Sequence, residues 1–244
     1  LVAVSAAISP TFRESSNILN VLRQSVDLGI IAIGQTFVIL SGGIDFSVGS
    51  IIVLTSIFGA TTMNGAASMV APAVILCLAM GSLIGFINGT VIAKLRVNPF
   101  IMTFGMMSIG QGVAFVRTKR PIGATPDGYG FWADGMIGPI PFAVISYAVI
   151  LAIAILVLWR TRFGRHVYAV GGNEEAARLS GINTIRVKIA VYVISGLMAA
   201  LGGLFVLSRM RTGGPLVGQG RELDVITAVV LGGTPLSGGR GGLF

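Results

Sequence analysis

Long uncharged stretches alternate with short charged ones along this chain. Residues 28–44, 46–93, 97–116, 135–159 and 189–208 contain no Lys, Arg, Asp, Glu or His. A run of roughly 20 apolar residues carries a helix across the ~30 Å hydrocarbon core of a bilayer. The second stretch is twice that length, and Asn64-Gly65 offers the turn that divides it. None alternates apolar and polar residues over about ten positions, as barrel strands do. A soluble reading needs several helices that are apolar on every face, which a chain of 244 residues cannot bury. The pattern predicts an all-α protein, a polytopic transmembrane helical bundle.

Composition agrees. Only 11% of residues are charged and 54% are hydrophobic, against about 25% charged in a soluble domain. The 35 glycines suit helices packed backbone to backbone in lipid. Gly81, Gly85 and Gly89 form a double small-xxx-small stripe, expected to pack within the subunit rather than to form a dimer face. In SGGIDFSVGS, residues 41–50, Gly42, Gly43 and Gly49 weaken helix continuity around the lone charge Asp45. The stretch GGPLVGQGRELDVITAVVLGGTPLSGGRGG has the same texture and carries Arg221, Glu222 and Asp224. These three are expected to form a local salt bridge or to mark a second broken helix. Broken hydrophobic segments in both halves of a chain point to a transport pathway.

The net charge of +8 does not signal nucleic acid, because the basic residues sit between apolar runs and report topology. Arg160, Arg162, Arg165, Arg178, Arg186 and Lys188 place the loop 160–188 in the cytoplasm. Lys94 and Arg96 fall on the same side; Arg117, Lys119 and Arg120 fall outside, in a loop shared with Asp127 and Asp134. In that loop Tyr129, Phe131 and Trp132 read as an interfacial belt or the lip of a pore. LVAVSAAISP reads as the tail of a first span. With the abrupt end at GGRGGLF it suggests a single transmembrane domain, 1–244, that lacks its start and one or more C-terminal spans.

Enzymatic motifs are missing. One histidine and one cysteine exclude the usual multi-ligand zinc site, and no catalytic or metal-binding set is expected. There is no GxxxxGK[ST], so any ATP is bound by another chain and no cofactor is expected here. His166 reads as a surface residue and Cys77 as a small core residue. Within 160–188, Asn173 is a good helix cap, Glu174 and Glu175 favour a helix start, and Gly181 is a natural stop. A short cytoplasmic helix of about two turns is predicted.

Glu175-Ala176-Ala177 followed by Gly181 resembles the EAA-x-x-x-G core of the cytoplasmic coupling loop in importer permeases of the ATP-binding-cassette class. SGGIDFSVGS, TRFGRHVYAVGGNEEAARLSGI and ELDVITAVVLGGTPLSGG together resemble the ribose/xylose/galactoside-type sugar permeases, from about residue 12 to the end. The resemblance implies a multi-pass protein of the bacterial inner membrane that pairs with a second copy or a paralogue and passes a monosaccharide inward. It further implies an extracytoplasmic sugar-binding protein, and ATPase subunits docked on Glu174, Glu175, Ala176, Ala177 and Gly181. Membrane lipid is the surrounding partner; nucleic acid is not one.

A carboxylate facing lipid at a helix centre costs roughly 2.5–3.5 kcal/mol. Asp45, with Ser47 and Ser50, therefore either lines or gates the sugar path or caps the following helix. Gln35, Asn88 and Gln111 are the other polar candidates for the path, with interhelical hydrogen bonding as their alternative role. Competing functions are a permease for branched-chain amino acids or furanosyl signals, and an ion-coupled secondary transporter. The latter calls for more acidic residues inside the spans.

Overall fold

The fold was obtained as a computed structural model and describes residues 13–243. The expected remnant of a first span, residues 1–10, lies outside the described residues. The order is α1 (Ser15–Leu40), α2 (Val48–Met63), α3 (Val70–Leu95), α4 (Pro99–Arg117), α5 (Phe131–Asp134), a hairpin of β1 (Met136–Ile137) and β2 (Ile140–Pro141), α6 (Phe142–Arg160), α7 (Arg162–Gly172), α8 (Glu174–Leu179), α9 (Thr184–Met210) and α10 (Arg221–Leu231). Among the described residues, four segments are long and apolar enough to cross a membrane: Ala67–Leu95, Pro99–Arg117, Phe142–Arg160 and Thr184–Met210.

α9 is the axis of the bundle. Of its apolar window 61% is buried, against 17–22% for the other three spans. The reason is small residues on several of its faces. Gly196 meets α3, where added Cβ atoms at Gly81 or Gly85 would strike the α9 backbone. Gly202 packs on Ile31 of α1, and Gly203 on Thr55 and Ile52 of α2. The glycine stripe of α3 is thus spent inside the subunit, where close backbone approach replaces side-chain interdigitation.

Two helices that flank the chain's breaks, α2 and α10, are too short to span. At about 1.5 Å per residue, the 16 residues of α2 and the 11 of α10 cover about 24 and 17 Å. α1 stops at Leu40, the chain turns through Gly42 (φ +81°), and α2 begins at Val48. After α9 the chain leaves at Arg211 (φ +64°), runs back along α2 as residues 212–220, and restarts as α10 after Gly220 (φ +81°). Both expected helix breaks are present. The turn at Asn64-Gly65 also forms, with both residues at positive φ.

Three expectations need correction. The first helix begins at Ser15, well before the uncharged run at 28, because Arg23 and Asp27 are both accommodated on it. α6 begins only at Phe142, because Gly135 and Gly138 (φ +58°) build the hairpin instead. The aromatic belt at 129–132 is mostly internal: Tyr129 is buried with its hydroxyl donating to Leu204 O, Trp132 packs edge-on to Phe205, and only Phe131 is exposed. This loop closes over the end of α9, where Ser208 Oγ bridges Ala133 N and Tyr129 O.

Candidate functional site

Asp45 is fully buried at the break between α1 and α2. Its Oδ1 accepts from Ser47 N at 2.9 Å and from Ser47 Oγ at 2.6 Å, and its Oδ2 accepts from Ser195 Oγ at 2.8 Å. On α3, Asn88 Nδ2 donates to Ser47 Oγ at 3.0 Å. On α1, the Gln35 amide donates to Asp45 O and accepts from Asp45 N, both at 3.2 Å, in the orientation its neighbours require. Tyr192 of α9 donates to Ile44 O at 3.2 Å. Side chains from α1, α3 and α9 thus converge on one buried, non-helical turn, whose polar groups would otherwise be unpaired in the bundle.

The carboxylate does not cap α2 at its first helical residues. It closes a turn onto Ser47 N, and Ser47 itself is the N-cap residue. Ser195 lies 11 residues into the 27-residue α9, about 16 Å from the start of that helix, which puts the junction near its middle.

The predicted polar residues separate into two groups. Gln35, Asp45, Ser47 and Asn88 meet at the junction. Ser50 lies one turn further along α2, its Oγ donating to Ser47 O and its side chain packed under Gly110 of α4. Gln111 is apart from them; its Nε2 donates to Pro215 O at 2.8 Å, tying α4 to the re-entrant segment. Ser195 and Tyr192 complete the junction and were not singled out in the sequence. A lone serine and a lone tyrosine in an apolar run carry no local signal there.

At the other end, α8 forms as the sequence predicts. Asn173 Oδ1 accepts from Ala176 N at 2.9 Å, and Gly181 (φ +82°) terminates the helix. Glu175 pairs with Arg178 on the same helix, and Glu174 with Lys188 at the foot of α9. The Arg178 guanidinium hydrogen-bonded to Glu175 holds that carboxyl below the usual range. Ala177 turns inward and is buried among Phe163, Ile182 and Val187, while Ala176 faces out. Beside Ala176, Leu179 is 78% exposed, an apolar tip between Arg178 and Ser180 that carries no signal in the sequence.

α7 precedes α8 and was not anticipated. Its Val167 and Val170 are buried against the bundle, Phe163 stacks on Phe37, and Tyr168 donates to Gly241 O at 2.9 Å. α7 and α8 together form a two-helix elbow between α6 and α9, lying across the end of α1, where Gly239 N donates to Leu40 O. α8 and the α1 break are thus connected through the packed side chains of α7.

Comparison with known proteins matches a family model described as branched-chain amino acid transport system / permease component over residues 17–243. The ribose import permease protein RbsC of Escherichia coli K12 is 41% identical over 246 residues, covering 99% of this chain and 76% of that protein. RbsC of Bacillus subtilis is 43% identical over 244 residues, covering 76% of it. The fructose import permease protein FrcC of Rhizobium meliloti is 36% identical over 255 residues, covering 70% of it. No solved structure matches.

Proposed function

Since the chain belongs to the family of branched-chain amino acid transport system permease components, we propose that it is the permease subunit of an ATP-binding-cassette importer and carries a monosaccharide inward. The named substrates of its relatives, ribose and fructose, support a pentose or hexose over an amino acid. In this reading the protein is multi-pass in the bacterial cytoplasmic membrane. It works with a second permease chain, an extracytoplasmic binding protein and separate ATPase subunits.

The observation that carries the mechanism is α8. It is a capped helix at the end of the bundle, with Ala176 and Leu179 outward and Ala177 rooted in the core. An ATPase subunit would receive Leu179 and Ala176 in a groove, and Glu174 and Glu175 at its rim. Closure of the ATPase pair would push α8, and through α7 the ends of α1 and of residues 238–242. The result is a rigid-body change between outward- and inward-open states. The Asp45 junction fixes the break that this lever acts upon. In this reading Ser50, packed under Gly110, and Gln111, which holds Pro215, are the polar groups assigned to the sugar path.

The test is uptake into liposomes holding the full-length permease with its ATPase and binding protein. Labelled ribose, fructose and leucine are offered with ATP inside or omitted. ATP-dependent sugar uptake without leucine uptake is expected. Uptake that ignores ATP and follows an ion gradient contradicts the proposal.

A further inference from the structure

Asp27 reads in the sequence as a charge near the end of a span. In the fold it is 1% exposed on α1, and its backbone packs against Gly202 of α9. Gly202 is eight residues before the end of α9, so Asp27 lies about 12 Å below that end, within the apolar part of the bundle. Two guanidinium groups reach it. Asp27 Oδ2 is 3.1 Å from Arg221 Nη2 and 3.7 Å from Arg209 Nη2. Arg221 does not pair with its neighbours Glu222 or Asp224, as the sequence suggests. Neither Asp27 oxygen has a well-aligned hydrogen bond, so the pairing is electrostatic and geometrically loose. Arg23, one turn earlier on α1, turns away to Met136 Sδ.

The two arginines bracket the re-entrant segment. Arg209 precedes its start and Arg221 opens α10. The outer part of the segment is well tied: Ile122 and Gly213 exchange backbone hydrogen bonds of 2.8 and 3.0 Å, Thr125 N donates to Arg211 O, and Gln111 holds Pro215. The inner part, 216–220, is hydrogen-bonded within its own turn and to the start of α10, where Gly218 O accepts from Arg221 N and Gly220 O from Leu223 N and Asp224 N; among the described residues it has no such bond to α1, α2 or α4. It lies on α2 at Gly218, over the Gly49 backbone and beside Ile52 and Val53, with Val217 packed on the cluster of Ile51, Ile52 and Val225. A contact between glycine backbones resists sliding weakly. The Arg221–Asp27 ion pair ties the start of α10 to α1, beside the packing of Val225 on the Ile31 cluster.

A buried carboxylate cannot be left bare, yet one whose partner moves would be. A second guanidinium at 3.7 Å removes that difficulty, because the carboxylate stays paired in either arrangement. We propose that Asp27 is a positioning residue for transport: a two-partner latch that holds α10 through Arg221 in this state and passes to Arg209 when α10 swings. The proposal rests on the transport reading, and it names the moving part, the half-helix α10 with its glycine-backed lead-in.

The test uses the full-length permease assembled with its ATPase and binding protein in lipid nanodiscs. Spin labels are placed at the exposed positions Gln24 and Thr227 in a background without other reactive thiols. Distances are measured at rest and with ATP trapped. Arg221→Gln should move the resting distribution toward the trapped one, and Arg209→Gln should deplete the trapped one. Each change in the population ratio should be at least about fivefold. Sugar turnover should fall in both with KM unchanged, and Asp27→Glu should restore turnover where Asp27→Asn does not. Shifts in the same direction, or none, in a protein that still transports would overturn the latch alone. Absence of ATP-dependent uptake in the unsubstituted protein would instead strike the transport reading.

Discussion

Ser195 Oγ donates to Asp45 Oδ2 at 2.8 Å, joining the central helix α9 to the break between α1 and α2 across 150 residues of sequence. Both groups are fully buried, so water is not available to replace the bond. The carboxylate and its three donors, two on Ser47 and one on Ser195, form a closed unit. Variants there should follow hydrogen-bond arithmetic.

Asp45→Asn keeps an acceptor for Ser47 and places an amide donor against Ser195, whose hydroxyl can turn to accept. Asp45→Ala leaves the buried Ser47 and Ser195 donors unpaired, at about 1–3 kcal/mol for each unsatisfied group. In detergent, thermal unfolding of the alanine variant should fall well below that of the asparagine variant. Equal losses would show that charge, not hydrogen bonding, holds the break.

Packing of α3 on α9 has no room for a methyl group. A Cβ at Gly85 would collide with Tyr192 O, whereas at Gly105 of α4 nothing lies within 4 Å. Gly85→Ala should cost about 1–3 kcal/mol, and Gly105→Ala should lie within about 0.5 kcal/mol of the unsubstituted protein. The comparison is read from paired melting curves.

Glu175 titrates below the usual carboxylate range because Arg178 hydrogen-bonds to it. A group whose folded pKa is lowered stabilises above its unfolded pKa and loses that contribution as pH falls through the lowered one. The α8 pair should therefore survive mild acidification to the ordinary glutamate range and break below it. In Arg178→Gln, the Glu175 titration followed by NMR of labelled glutamate should move up. No movement would mean that the pair is not formed in solution.

The spans, the Asn64-Gly65 turn and the capped α8 are legible because each rests on local signals: absence of charge, a left-handed turn pair, and Asn173 followed by Gly181. α7 was hidden because FGRHVYAVGG mixes glycine and charge as a loop does, and only its seat on Phe37 and Leu40 makes it a helix. The polar residues were found, but not their grouping. Gln35, Asp45, Ser47 and Asn88 meet because α1 and α3 both pack on α9, a long-range fact that no window of sequence carries. Pairing of Asp27 with Arg221 was missed for the same reason, since Glu222 and Asp224 are nearer in sequence and not in space.

The central claim is that α8 is the seat of an ATPase subunit, and co-purification tests it most directly. The full-length permease and its ATPase would be co-expressed with α8 unaltered, with Leu179→Glu, and with Glu175→Lys. The account predicts that Leu179→Glu and Glu175→Lys lose the ATPase while the permease remains folded and elutes as the unaltered protein does. Retention of stoichiometric ATPase by both variants, with ATP-driven sugar uptake intact, would contradict it.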